Sequence, residues 1–212
     1  MENLSEDTLV YEKPSNPYTQ RVVSIGGGTG QYSFLTGLRW YNNPDCITAI
    51  AGTWDDGGDS GRRRVDEGIL PPGDARQCIL ALCEPGTQME AAQPLFNYRD
   101  HREVSLGNEM ISFYTRWAHG DQEGLDYFRK LLLIPSNILY VTSHDLRLYG
   151  ETASQVILNG ESEIDTRHTR EDYNPDDKIV SLYFDTDAKI APRARNAIIS
   201  AQKIVFPSGS LY

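Results

Sequence analysis

Apolar positions along the chain fall into short blocks that switch between two periods, separated by glycine-rich or acidic turns. "RVVSI" (21–25) is a β-branched run that stops at glycine and predicts a strand. After it, Phe34, Leu35, Leu38 and Tyr41 in "YSFLTGLRWY" (32–41) recur at helical spacing. "CITAIAGTW" (46–54) predicts a second buried strand, and "GDARQCILALCE" (73–84) a helix whose apolar stripe is Ile79, Leu80, Leu82 and Cys83. Between Met89 and Lys130 the pattern stays helical: "SLGNEMISFYTRWA" (105–118) and "GLDYFRKLLLI" (124–134) are amphipathic and joined by "HGDQEG". "NILYVTS" (137–143) restores a strand. Residues 146–164 alternate, and their Asn159–Gly160 pair predicts the turn of an antiparallel ribbon. A polar stretch without period follows over 165–177; "KIVSLYF", "APRARNAIISA" and "KIVFPSGSLY" then predict strand, helix and strand.

Strands that alternate with helices predict an α/β protein with a Rossmann-like, mainly parallel sheet covered by helices on both faces. The helical run at about 86–135 is expected as an inserted helical lobe within one nucleotide-binding domain over 21–212. Residues 1–20 are polar, carry two prolines and have no period, which predicts a flexible extension. In an open parallel sheet, ligands bind outside the carboxyl ends of the strands. The three chemically suggestive loops, after the strands at 21–25 and 46–54 and at the chain's end, are therefore expected on one sheet edge.

Charge narrows the ligand. The net charge is -10, and the 30 acidic residues are spread along the chain, which disfavours nucleic acid and anionic membrane as partners. No stretch reaches the length of an apolar span, and the first residues lack the order of a signal peptide, so a cytoplasmic protein is expected. Cys46, Cys78 and Cys83 show no paired spacing and are expected as free, largely buried thiols.

Two loops carry the candidate chemistry. In "IGGGTG", Gly26, Gly27, Gly28, Thr29 and Gly30 lead from a strand into a helix, a setting that presents free amides and a positive dipole to a phosphate or pyrophosphate. Gln31 stands where GxGxxG needs glycine, and no GK[ST] ending follows, so neither standard nucleotide fingerprint is met. The second loop, "TWDDGGDSGRRR" (53–64), sets Asp55, Asp56 and Asp59 beside Arg62, Arg63 and Arg64. Its carboxylates suit Mg²⁺ or a ribose hydroxyl, and its guanidinium groups suit phosphate; Ser60, Gly61 and Arg62 are candidate ligand contacts. Asp74 is most simply a helix-start residue favoured by the dipole. His101, His119, His144 and His168 show no ligand spacing and no triad. Trp54 is expected to pack rather than to stack on a base.

"VVSIGGGTG", "DDGGDSGR", "LPPGDARQCILAL", "SLGNE" and "IVFPSGSLY" occur in an order that resembles the CofD/YvcK-like superfamily, over about residues 21–212. That group holds 2-phospho-L-lactate transferases and gluconeogenesis factors. The "DDGGDSGRRR" continuation looks closer to the gluconeogenesis-factor branch. The resemblance implies a nucleotide diphosphate over the first glycine loop and Asp55 with Asp56 as metal (Mg²⁺) ligands. Asn108 would line the same crevice and Ser210 would face the ligand. It also implies a chain shortened at its C-terminus, with Pro207 where the family has glycine. The expected function is a nucleotide-sugar (UDP-sugar-like) binding regulatory protein of carbon metabolism or cell-envelope and cell-shape control. The alternative is a Mg-dependent transferase moving a phospholactyl group from a guanylate carrier to a deazaflavin acceptor, with Asp55 and Asp56 catalytic. A homodimer is left open.

Overall fold

The computed structural model of the protein describes residues 17–84 and 86–209. Most of the predicted N-terminal extension, and Ser210, lie outside these residues. In chain order the elements are β1 (Val22–Gly26), α1 (Gly28–Tyr41), β2 (Ile47–Ala51), α2 (Gly58–Glu67), α3 (Gly73–Leu82), α4 (Thr87–Asn97), α5 (Leu106–Ala118) and α6 (Asp121–Leu131). They continue with β3 (Asn137–Tyr140), β4 (Leu148–Thr152), β5 (Ile157–Asn159), α7 (Glu161–Thr166), β6 (Ile179–Phe184), α8 (Pro192–Ser200) and β7 (Lys203–Val205).

Four strands form a parallel sheet in the order β3-β2-β1-β7. Every connection between them contains helix, which is what parallel pairing requires. The chain adds strands on one side of β1 and then returns to its other side, so a topological switch lies between β1 and β7. The turns leaving those two strands, at 26–28 and 206–209, meet there: a Cβ on Gly30 would overlap the Ser208 carbonyl oxygen. β4, β5 and β6 form a separate antiparallel sheet in the order β5-β4-β6.

Helices cover both faces of the parallel sheet. On one face Ile47, Ala49 and Ala51 of β2 join α1, α3, α5 and α6 in one buried cluster that includes Leu35, Ile79, Phe96, Ile111, Leu125 and Phe128. Phe96 and Phe128 stack with ring centroids 5.7 Å apart. The inserted helices α4–α6 thus share a continuous core with the sheet. On the other face α8 packs Ala194 against Val23, Ile50 and Leu139. Cys78 and Cys83 are buried and all three cysteines are free. Among the described residues, no helix is long and apolar enough to cross a membrane.

The structure departs from the sequence pattern in three places. Residues 58–67, expected as loop, are helix α2. Its glycines lower helix propensity, but Arg63 pairs with Asp59 and Glu67 one turn away on either side, and tertiary contacts complete it. The glycine run before α1 is largely the first turn of that helix, which starts at Gly28 rather than near Tyr32. The predicted ribbon exists, but its turn lies at 153–156; Asn159–Gly160 instead starts α7, with Gly160 at φ +97°.

Gln31 explains the missing third glycine. In GxGxxG that glycine lets helix and strand approach. Here the Gln31 side chain, 1% exposed, fills the gap and bonds the elements it separates. Its Nε2 donates to the carbonyls of Ser24 and Ile50, each at 3.2 Å, and its Oε1 accepts from Cys78 Sγ at 3.4 Å. Replacing Gln31 with Leu is expected to lower unfolding free energy by about 1–3 kcal/mol, because buried partners lose their bonds. Urea denaturation with an unchanged m-value would record it.

Candidate functional site

A cavity of about 310 Å³ lies at the carboxyl ends of β1 and β2. Gly28 of α1, Gly57 and Gly58 of α2, and Gly73 of α3 all line it, so three helix N-termini converge there. The N-cap residues Gly27, Gly57 and Pro72 offer no capping side chain of their own. Gly28 at φ +57° and Gly58 at φ +47° adopt a left-handed conformation that L side chains disfavour. Asp55, Asp59, Ser60, Asp74, Arg76, Gln77, Arg99 and Asn108 complete the wall.

Carboxylates of the protein serve two of these helix starts. Asp74 Oδ1 accepts from the Gly28 amide at 2.7 Å, reaching from the first turn of α3 to that of α1. Asp55 Oδ1 accepts from the Gly57 amide at 2.9 Å. Asp74 is therefore more than a favourable charge on its own helix. A Cβ on Gly27 would overlap its carboxylate, and one on Gly30 would overlap Ser208, so two glycines of the run make room for the protein's own groups.

Asp59 organises the wall beyond. Its Oδ2 accepts from the Ser105 amide at 3.1 Å, from Asn108 Nδ2 at 2.9 Å and from Arg63 Nε at 3.2 Å. Arg63 also bonds Glu67, Ser112 and Glu109, so α2 is clamped to α5 through buried charge. Arg64 bonds Asp145 and the Leu146 carbonyl. The "SLGNE" motif supplies this joint: Ser105 caps α5, Asn108 and Glu109 reach α2, and Gly107 lets Arg76 lie across the helix start, since a Cβ there would sit 2.8 Å from Arg76 Cδ.

Of the residues expected from sequence, Gly28, Asp55, Ser60 and Asn108 line the cavity. Gly26, Gly27, Thr29, Gly30 and Gly61 are not among the lining residues, and Thr29 is exposed; a Cβ on Gly61 would overlap the Asp56 carbonyl, so its role is packing. Arg62 faces a neighbouring depression with Asp66 and Arg102. Trp54 packs on Phe184 at 5.6 Å. The cavity also recruits Asp74, Arg76 and Arg99, which sequence reasoning did not rank as ligand contacts; Asp74 and Arg76 sat in a helix start whose direction the pattern could not give.

Asp55 and Asp56 accept from different backbone amides. Asp56 Oδ1 accepts from the Ser162 amide at 2.8 Å, at the start of α7. Among the described residues no group of three or more His, Cys, Asp or Glu side chains is placed to hold a metal ion.

These features define a Rossmann-like α/β protein with a polar, helix-terminus cavity at its strand ends. The family model described as 2-phospho-L-lactate transferase CofD matches residues 22–212, and the chain belongs to that family. It is 33% identical over 199 residues to the gluconeogenesis factor of Halalkalibacterium halodurans, covering 91% of this chain and 58% of that protein. It is 31% identical over 198 residues to the gluconeogenesis factor of Listeria monocytogenes, with coverage of 91% and 58%. A crystal structure of a Bacillus halodurans protein superposes with a TM-score of 0.78 at 30% identity, over 92% of this chain and 60% of the other. The chain thus spans about three fifths of the length of these relatives.

Electrostatics at the cavity predict a pH response. Burial raises the Asp74 carboxyl to about 6, against the Gly28 hydrogen bond that lowers it. Burial, then the charges of Asp55, Asp165, Asp56 and Asp74, raise Glu161 of α7 to about 7. Unfolded carboxyls titrate near 4. The folded chain therefore binds more protons than the unfolded one between about pH 4 and 7, and stability falls as pH rises through that window. The exposed carboxyls held low, Asp172 and Asp177, act only below it. Tm at low salt is expected to be higher at pH 5 than at pH 7.5, and Glu161→Gln to flatten the decline, as calorimetry across that range would show.

Proposed function

We propose that the protein binds a nucleotide sugar of the UDP-sugar type and acts as a regulator, in carbon metabolism or in control of the cell envelope. The observation that carries this reading is the convergence of three helix N-termini, with Arg76 and Arg99, on one open cavity. Helix starts turn the positive ends of their dipoles toward the cavity, and together with the two guanidinium groups they favour a compact anion such as a diphosphate, although Asp74 and Asp55 already take the Gly28 and Gly57 amides. The cavity holds the phosphate end, and the sugar and base lie across its open mouth. The raised pKa of Asp74 suits this arrangement, since a carboxyl that takes a proton readily repels an entering anion less. The likeness to gluconeogenesis factors over most of the chain supports a regulatory role.

The family model bears the name of a transferase, which supports a second reading in which a phospholactyl group moves from a guanylate carrier to a deazaflavin acceptor. That Asp55 and Asp56 each already accept from a backbone amide weighs against it.

Under the binding reading, UDP-glucose or UDP-N-acetylglucosamine stabilises the folded chain saturably. At a hundredfold excess over Kd the gain is about 2.7 kcal/mol, measurable as a rise in Tm, and no product accumulates. A panel of nucleotide sugars that leaves Tm unmoved while the far-ultraviolet spectrum stays native would exclude it. Metal-dependent release of GMP from a guanylate substrate would favour the transferase instead.

A further inference from the structure

The outer face of the α5–α6 hairpin carries a continuous strip of aromatic side chains that the chain leaves uncovered. Phe113, Trp117 and Tyr127 are 54%, 59% and 45% exposed, and Leu131 and Leu133 extend the strip at 56% and 83%. The rings touch across the two helices: Phe113 meets Tyr114 at 5.3 Å, Tyr114 meets Trp117 at 6.5 Å, and Trp117 meets Tyr127 edge to face at 4.9 Å. Tyr114 also stacks on buried Phe128 at 5.8 Å, which ties the strip to the core and holds its shape. Scattered exposed apolar side chains are ordinary, whereas a contiguous patch marks a contact surface. An aromatic side chain presents roughly 200 Å², so the exposed ring surface comes to about 300 Å² per copy, enough for the apolar centre of an interface that buries ~800 Å² a side.

Leu133 is a second sign of a contact here. It holds φ +52°, in the left-handed region where glycine or asparagine normally ends a helix, yet it is a bulky apolar residue with its side chain in solvent. A leucine in that conformation costs backbone strain, and its exposed side chain gives little in return within one chain; such outliers cluster at functional contacts.

The charges decide what covers the strip. Most of those on the hairpin are satisfied within the chain: Asp126 pairs with Arg193, Arg116 with Glu67, and Arg129 bonds the Ile134 and Pro135 carbonyls. Glu123 and Lys130 remain, one near each end of α6, and among the described residues neither forms an ion pair. Glu123 lies beside Gly120 and acts on Arg193 only at a distance, while Lys130 sits over the Tyr127 ring at 5.6 Å. Both are exposed and, with Tyr127 between them at helical spacing, they share one face of α6. A negative and a positive end about 10 Å apart along the helix are self-complementary. When two such helices cross antiparallel about a two-fold axis near Tyr127, Glu123 of each copy meets Lys130 of the other. A partner of one sign would match only one of the two ends.

We propose that two copies of the chain associate through their α5–α6 hairpins, with the strips at Phe113, Trp117 and Tyr127 packed together and reciprocal Glu123–Lys130 pairs at the rim. The two hairpins then form a four-helix layer. This association is independent of what the cavity binds.

The test is sedimentation of the full chain over a micromolar concentration series, with far-ultraviolet circular dichroism as the control for folding. Wild type should dimerise. Trp117→Glu changes an exposed position, so it should keep the fold while weakening dimerisation at least a hundredfold. Lys130→Glu and Glu123→Lys should each weaken it at least tenfold, since each sets two like-charge contacts across the two-fold axis. Mixed in equal amounts, these two variants should recover the dimer, because every contact between the unlike copies then joins opposite signs. A charge that acts only within its own chain gives no such recovery. A wild type that stays monomeric throughout the series would overturn the association. So would a dimer that Trp117→Glu leaves intact, one that Phe206→Glu beyond β7 dissociates in its place, or charge variants that do not recover on mixing.

Discussion

The carboxylate of Asp59 is the joint on which the site depends. It is 4% exposed and satisfied by one guanidinium, one backbone amide and one side-chain amide, drawn from two different helices. A buried carboxylate tolerates desolvation only when its lone pairs are filled, so the geometry of α2 relative to α5 is closely set. That fixed angle aims the starts of α2 and α3 at the start of α1 and leaves a cavity between them. Arg63 extends the constraint to Glu67 and Glu109, where partial exposure makes each added ion pair weaker than the buried contact.

Around that joint the chain spends its polar groups unevenly. The carboxylates of Asp55 and Asp74 satisfy helix amides that a ligand would otherwise meet. Arg63 and Arg64 are paired. Arg76 and Asn108 are left incomplete in the same wall. The wall is thus hydrogen-bonded at Asp55, Asp59 and Asp74 and keeps unpartnered atoms at Arg76 Nε and Asn108 Oδ1. The glycine run divides in the same way: Gly27 and Gly30 admit Asp74 and Ser208, whereas Gly28 has open space before it.

Family membership sets the frame without fixing the chemistry. The relative of known structure shares the fold over 92% of this chain. What enters the cavity depends on individual groups such as Arg76 and Arg99, and fold alone does not assign them.

Much of the architecture was legible in the sequence. Short apolar runs gave β1, β2 and β3, the 3.6 period gave α1, α3, α5 and α6, and their alternation gave a parallel sheet with loops at one edge. These are local properties, set by which side chains can share a face. Helix α2 was not legible, because its glycines and charges argue for loop until Asp59, Arg63 and Arg64 find partners some 40 to 80 positions away. The separate partners of Asp55 and Asp56, the reach of Asp74 to Gly28 and the unpartnered Nε of Arg76 were likewise beyond the pattern. Each depends on which distant groups lie within about 3 Å, the range over which a hydrogen bond forms, and only the packed chain decides that.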